Sequence, residues 1–144
     1  MKKGFVFVVG AGCGEADLIT VRGLRCLQRC DSLIYDDLID KALLEEAPAK
    51  AEKLYVGKRS GQHSYPQEEI NRLLIQKACD GQTVVRLKGG DPYVFGRGGE
   101  EILALQKAGI PFEEVPGISS AIAVPAFAGI PVTHRGVSQS VHII

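Results

Sequence analysis

Tryptophan is absent, methionine occurs once, and aromatic residues make up only 6% of the chain. The four cysteines, Cys13, Cys26, Cys30 and Cys79, include no CxxC pair. Cys26 and Cys30 would stand one turn apart on a helix, but no further ligand accompanies them. They read as reduced thiols rather than as a metal site. His63 and His134 are equally far from partner ligands in the sequence, so no metal is expected. Neither sign of charge dominates: 17 Lys and Arg balance 17 Asp and Glu. That balance argues against a basic nucleic-acid-binding domain. No secretory leader is visible, because Met1-Lys2-Lys3 runs into only a short apolar stretch before Gly10, and a cytoplasmic protein is expected. An unbroken membrane-spanning run is lacking too. Residues 115–133 carry no charge, yet Pro116, Pro125 and Pro131 interrupt them, which a lipid-exposed helix does not tolerate.

What the chain has is apolar content and glycine. Hydrophobic residues make up 45%, enough for a core and too many for a disordered chain. Its 144 residues suit one domain or a piece of a larger protein. Seventeen are glycine, well above the usual ~7%, and they cluster in turns. Residues 4–9 (GFVFVV) form a continuous β-branched and aromatic run, as in a strand buried on both faces. Shorter strands are expected over 32–35, 53–56, 83–87 and 112–115. Helical spacing predicts helices over 20–30, 40–47, 67–80, 99–107 and 119–128. Strands alternate with helices throughout, so the predicted class is α/β, a mostly parallel sheet flanked by helices. Residues 137–144 begin another apolar, strand-like run. The expected organisation is one α/β domain over 1–136, with 137–144 starting the first strand of a truncated second domain.

Three glycine-dense turns stand out. Gly10, Gly12 and Gly14 follow the first strand, but their spacing is not the G-x-G-x-x-G of a dinucleotide site, and Glu15 and Asp17 would repel a pyrophosphate. Lys88-Gly89-Gly90-Asp91-Pro92 follows the fourth strand, with Asp91 as a hydrogen-bond acceptor. Gly96-Arg97-Gly98-Gly99 comes next. Three such turns in one domain favour a small-molecule site over a purely structural role. Asp36 lies just past the second strand and Lys58 with Arg59 just past the third, where sites form in such sheets. From spacing alone, a loop carboxylate and a solvated basic pair are the commoner fates of such residues, ahead of a proton-transfer or anion site.

The motifs Val9-Gly10-Ala11-Gly12-Cys13-Gly14, Tyr35-Asp36, Val56-Gly57-Lys58-Arg59 and Pro66-Gln67-Glu68-Glu69-Ile70-Asn71 resemble those of the tetrapyrrole methylase family. The run from Val85 through Lys88-Gly89-Gly90-Asp91-Pro92-Tyr93-Val94-Phe95-Gly96-Arg97-Gly98-Gly99-Glu100-Glu101 is highly specific. So are Val115-Pro116-Gly117-Ile118-Ser119-Ser120-Ala121 and Gly129-Ile130-Pro131-Val132-Thr133-His134-Arg135. The resemblance covers essentially the whole chain. It implies the N-terminal domain of a two-domain α/β enzyme, usually a homodimer, with the cofactor in the interdomain cleft. It implies C-methylation of uroporphyrinogen III to precorrin-2, on the way to sirohaem and cobalamin. The methyl donor would be S-adenosylmethionine, leaving S-adenosylhomocysteine.

The same resemblance assigns cofactor contacts to Cys13, Gly89, Gly90, Asp91, Val94, Ser119 and Ser120. Asp36 becomes the proton acceptor and Lys58 the proton donor. The substrate's many carboxylates make Arg59, Arg97, His134 and Arg135 docking groups. Cys13 stands where the family usually has Pro, and Glu15 where it has Asp. A van der Waals contact at position 13 can be made by either side chain. Two alternatives remain open: a later precorrin methylase of the cobalamin route, or a non-catalytic ligand-binding and dimerisation module.

Overall fold

The computed structural model describes residues 2–58 and 65–144. Arg59 and His63 lie outside the described residues. Five strands form one sheet: β1 (Phe5–Gly10), β2 (Ser32–Tyr35), β3 (Glu52–Tyr55), β4 (Thr83–Lys88) and β5 (Phe112–Val115). Their order is β3-β2-β4-β1-β5, and every pairing is parallel. The four α-helices are α1 (Val21–Leu27), α2 (Gln67–Cys79), α3 (Gly98–Lys107) and α4 (Ser120–Phe127). The helix expected over 40–47 is a 3-10 helix, Lys41–Glu46, opened by an Asp40 side chain that accepts from the Ala42 amide. Pro48 closes the segment too soon for a full α-helix to propagate.

The sheet is buried on both faces, which is why β1 reads as a continuous rather than an alternating apolar run. Phe7, Val9, Leu33, Val85 and Leu87 pack against Cys26 and Leu27 of α1, with Cys30 just beyond it, and against Leu43. On the opposite face Val6, Val8, Ile34 and Val84 pack against Ile70, Leu74 and Ala78 of α2 and Leu105 of α3. Cys26 and Cys30 are therefore core thiols. Burial raises both, Cys30 to about 11, so they stay protonated at neutral pH.

Strand order and connection handedness place a crevice at the carboxyl ends of β1 and β4. β1 and β4 are neighbours, but the chain leaves β1 through α1 on one face and leaves β4 through α3 on the other. Connections that depart to opposite faces leave a gap between the carboxyl ends of the two strands. Among the described residues no helix is long and apolar enough to cross a membrane. Residues 139–144 adopt no helix or strand, and 134–138 form a turn closed by an isolated bridge between His134 and Ser138.

Candidate active site

The crevice between β1 and β4 is stitched by backbone alone. Gly12 and Gly90 exchange hydrogen bonds, Gly90 N to Gly12 O at 2.8 Å and Gly12 N to Gly90 O at 3.2 Å. A third turn, after β5, presses in beside them. A Cβ on Gly117 would lie 2.0 Å from the Gly90 oxygen and 2.7 Å from the Gly10 Cα. No side chain fits there, so glycine is required by close backbone approach. Gly90 itself has φ +63°, a left-handed conformation that other residues adopt at a cost.

Asp91 clamps these turns together. One carboxylate oxygen accepts from the Tyr93 amide at 2.9 Å, and the other accepts from the Gly117 amide at 3.0 Å. The first bond shapes the turn after β4. The second ties that turn to the loop leading into α4. Ser119 caps α4 by accepting from the Ala121 amide at 3.2 Å. Beyond Asp91 the chain passes through two strained residues, Phe95 at φ 52° and Arg97 at φ 56°. Such conformations concentrate at binding loops. Burial, and then the neighbouring Asp91 charge, pushes the Glu114 carboxyl above its usual range.

Over these turns lies a cavity of about 1000 Å³. It brings together every residue for which the family resemblance implies a cofactor contact: Cys13, Gly89, Gly90, Asp91, Val94, Ser119 and Ser120. Asp36 and Arg97 also line it. Lys58 is exposed and is not part of the wall, and neither are the exposed His134 and Arg135. Ile143, from the C-terminal segment, reaches the cavity edge.

Sequence reasoning missed the floor. Arg86 and Lys88 sit on β4 two residues apart, so both project to the α2/α3 face, and both line the cavity. Arg86 gives Nε to Glu101 Oε1 at 3.1 Å, Nη2 to Asp36 Oδ2 at 3.3 Å and Nη1 to the Leu87 carbonyl at 3.2 Å. Lys88 Nζ donates to the same Glu101 oxygen at 3.1 Å, and Gln67 reaches it at 3.3 Å. The side chains of Arg86, Lys88 and Glu101 are 4%, 6% and 0% exposed. Burial, and next the Arg86 charge, lowers Lys88 below the ordinary lysine value, against the pull of Glu101. The available signal was two cations in a strand otherwise reading as buried. An unpaired charge there is too costly, so each needs a carboxylate nearby.

The wall's charges suit one class of ligand better than another. Its cations all have carboxylate partners: Arg86 with Asp36 and Glu101, Lys88 with Glu101, and Arg97 with Glu100 through two contacts of 2.8 and 2.9 Å. A phosphate needs uncommitted cations or a helix N-terminus free of acids. Glycine backbone, hydroxyls and carboxylates instead suit a ligand that carries a cation, a diol and a flat base.

This combination, an all-parallel α/β domain with glycine turns gathered at one crevice, is the architecture of a small-molecule-binding domain. Residues 6–142 match the profile of tetrapyrrole (corrin/porphyrin) methylases, and the chain belongs to that family. It is 60% identical over 141 residues to a uroporphyrinogen-III C-methyltransferase of Methanocaldococcus jannaschii, covering 98% of this chain and 58% of that protein. It is 54% identical over 144 residues to a siroheme synthase of Pseudomonas paraeruginosa, covering 31% of that protein. The crystal structure of uroporphyrin-III C-methyl transferase from Thermus thermophilus complexed with S-adenyl homocysteine superposes with a TM-score of 0.78 at 45% identity. That match covers 95% of this chain and 53% of that one. The chain thus spans 58% or less of the relatives it matches.

Proposed function

We propose that this chain supplies one wall of the active site of an S-adenosylmethionine-dependent C-methyltransferase that converts uroporphyrinogen III to precorrin-2. The observation that carries the reading is the cavity wall: glycine turns, Cys13, Ser119 and Ser120, with every cation already paired. S-adenosylmethionine carries a sulfonium, an ammonium, a ribose diol and an adenine but no phosphate, and these residues fit it. When bound, it supplies a methyl group already activated for attack by an electron-rich pyrrole carbon. The backbone of Gly89 and Gly90, with Val94, would hold it by close approach, and Ser119 and Ser120 by their hydroxyls. Asp91 supports it by fixing the turns.

The chain's own residues then have two tasks. They must align the ring carbon with the donor, because near-attack geometry supplies much of the rate. They must also take a proton from elsewhere on the ring, because the attacked carbon already bears a side chain and carries no proton once methylated, so the positive charge left on the ring is discharged by loss of a proton from another position. Asp36, on the cavity wall with a 26% exposed side chain, is the proton acceptor in this reading. Lys58 as proton donor, and His134 and Arg135 as carboxylate docks, stand outside the cavity wall and act only if substrate extends to them, while Arg59, a further dock in this reading, lies outside the described residues. Arg97, at the wall, is the dock with the best position. We take the open side of the cavity to face a second domain, in a soluble cytoplasmic homodimer. The exposed Ile122, Val124 and Phe127 of α4, Phe127 at 74%, support a covered face there.

Isothermal titration with S-adenosylmethionine and S-adenosylhomocysteine, then turnover with uroporphyrinogen III and with precorrins, tests the reading in the full-length protein that bears this chain. Binding with turnover of uroporphyrinogen III is the expected result. Binding without turnover would make it a ligand-binding module, and preference for a precorrin would move it to a later methylation.

A further inference from the structure

A buried ionic layer closes the α2/α3 core beneath the cavity. Its members are Arg86, Lys88 and Glu101, with Asp36 at its rim and Gln67 beside it. Stability alone does not account for it. Buried ion pairs seldom outperform apolar side chains of similar volume, because both ions must leave water. This layer is also incompletely bonded: Glu101 Oε2 is buried without a hydrogen-bond partner among the described residues. What distinguishes it is its outer end. Asp36 is its most exposed member and lines the cavity.

The geometry of Arg86 explains how the inner members could serve Asp36. Its guanidinium is bonded on three edges, to Glu101, to Leu87 and to Asp36, which fixes the plane of the fork. The Asp36 carboxylate is then held from both sides: Oδ2 by Arg86 and Oδ1 by the Leu38 amide at 3.2 Å. Each oxygen keeps a lone pair. Glu101 in turn cannot turn away, since Lys88 and Gln67 bind the same oxygen as Arg86. Lysine at position 86 would keep the charge but could not span both carboxylates in one plane.

We infer that Arg86, anchored by Glu101, is a positioning residue that orients the Asp36 carboxylate toward the ring proton that is lost after methyl transfer. The inference rests on the reading of Asp36 as the proton acceptor. It predicts that Arg86 matters to turnover only through Asp36, which a double-mutant cycle in the full-length protein measures. Arg86→Lys should lower kcat about 10- to 100-fold, the scale of a misplaced catalytic group. The KM for uroporphyrinogen III and the Kd for S-adenosylmethionine should stay within about threefold. Asp36→Asn should lower kcat roughly 10²- to 10⁴-fold. In the Asp36→Asn background, Arg86→Lys should cost less than about threefold more. A merely structural role would give the same loss in both backgrounds. If Arg86→Lys fails to fold, Glu101→Gln replaces it, loosening Arg86 from the opposite side while keeping shape.

The outcomes separate. Near-normal turnover of Asp36→Asn removes the proton-acceptor reading, and the inference with it. A crippled Asp36→Asn with additive losses, an unchanged kcat for Arg86→Lys, or a loss confined to KM leaves that reading standing and overturns the inference alone.

Discussion

Asp91 should be needed as a carboxylate, not merely as a polar side chain. Both of its partners are backbone donors, the amides of Tyr93 and Gly117. Two donors on two different oxygens can be satisfied only by a group with two acceptors. Asn offers one acceptor and turns its NH₂ against the other N–H. The Gly117 bond is partly buried, and a hydrogen bond to a charged group is worth roughly 1.5–3 kcal/mol. The exposed Tyr93 bond adds about 0.5–1 kcal/mol. Asp91→Ala should therefore cost about 3 kcal/mol. At about 4 °C per kcal/mol for a chain of this size, the melting temperature should fall by about 12 °C. Asp91→Asn should lose most of the same amount, since it cannot keep both bonds. The freed loop carries Ser119, so S-adenosylmethionine should also bind about ten- to a hundredfold more weakly. Differential scanning calorimetry and isothermal titration read the two effects. If both variants melt within about 2 °C of wild type, the clamp argument is wrong. Weakened binding with unchanged melting would make Asp91 a direct ligand contact only.

Gly117→Ala should cost at least about 3 kcal/mol, because its Cβ would meet backbone at 2.0 Å and backbone cannot swing aside; a loss under about 1 kcal/mol in chemical denaturation would contradict the packing. Lys88 is lowered in the fold by burial and by Arg86, so the unfolded chain holds its proton to higher pH. The sign follows: the cost of burying the ammonium is fully present below the folded value and is relieved as pH rises toward 10.5, the unfolded value. Wild type should therefore gain stability relative to Lys88→Met as pH climbs from neutral toward 10.5, and a pH-independent difference in melting temperature would refute this. The 144-residue chain by itself should fold cooperatively, since both faces of its sheet are already covered, yet turn over uroporphyrinogen III far more slowly than the full-length protein; equal turnover per chain would show that one wall suffices.

The fold was legible because each local signal agreed with its neighbours. The β1 run and the starts of α1 and α2 fall within a residue or two of their expected places, while α1 ends at Leu27, three residues short of Cys30. The short helix expected over 40–47 is present as a 3-10 helix at Lys41–Glu46, a form that apolar spacing over six residues does not separate from α. The glycine turns were legible as a binding site because clusters of glycine carry little other meaning. Their mutual contact was not, since nothing in the sequence of Gly10, Gly90 or Gly117 says that their backbones meet at the ends of β1, β4 and β5. The same limit hid the ionic layer. Arg86, Glu101 and Asp36 come from β4, α3 and the end of β2, and only the strand order β2-β4-β1 sets them side by side. Lys58 shows the converse. Its position after β3 suggested a place at the carboxyl edge of the sheet, and it is there. But β3 is the outermost strand, two places from the β4–β1 crevice, so the cation that stands beside Asp36 at the cavity is Arg86. Alternation within a strand predicts which way a side chain faces; sheet order decides what it meets.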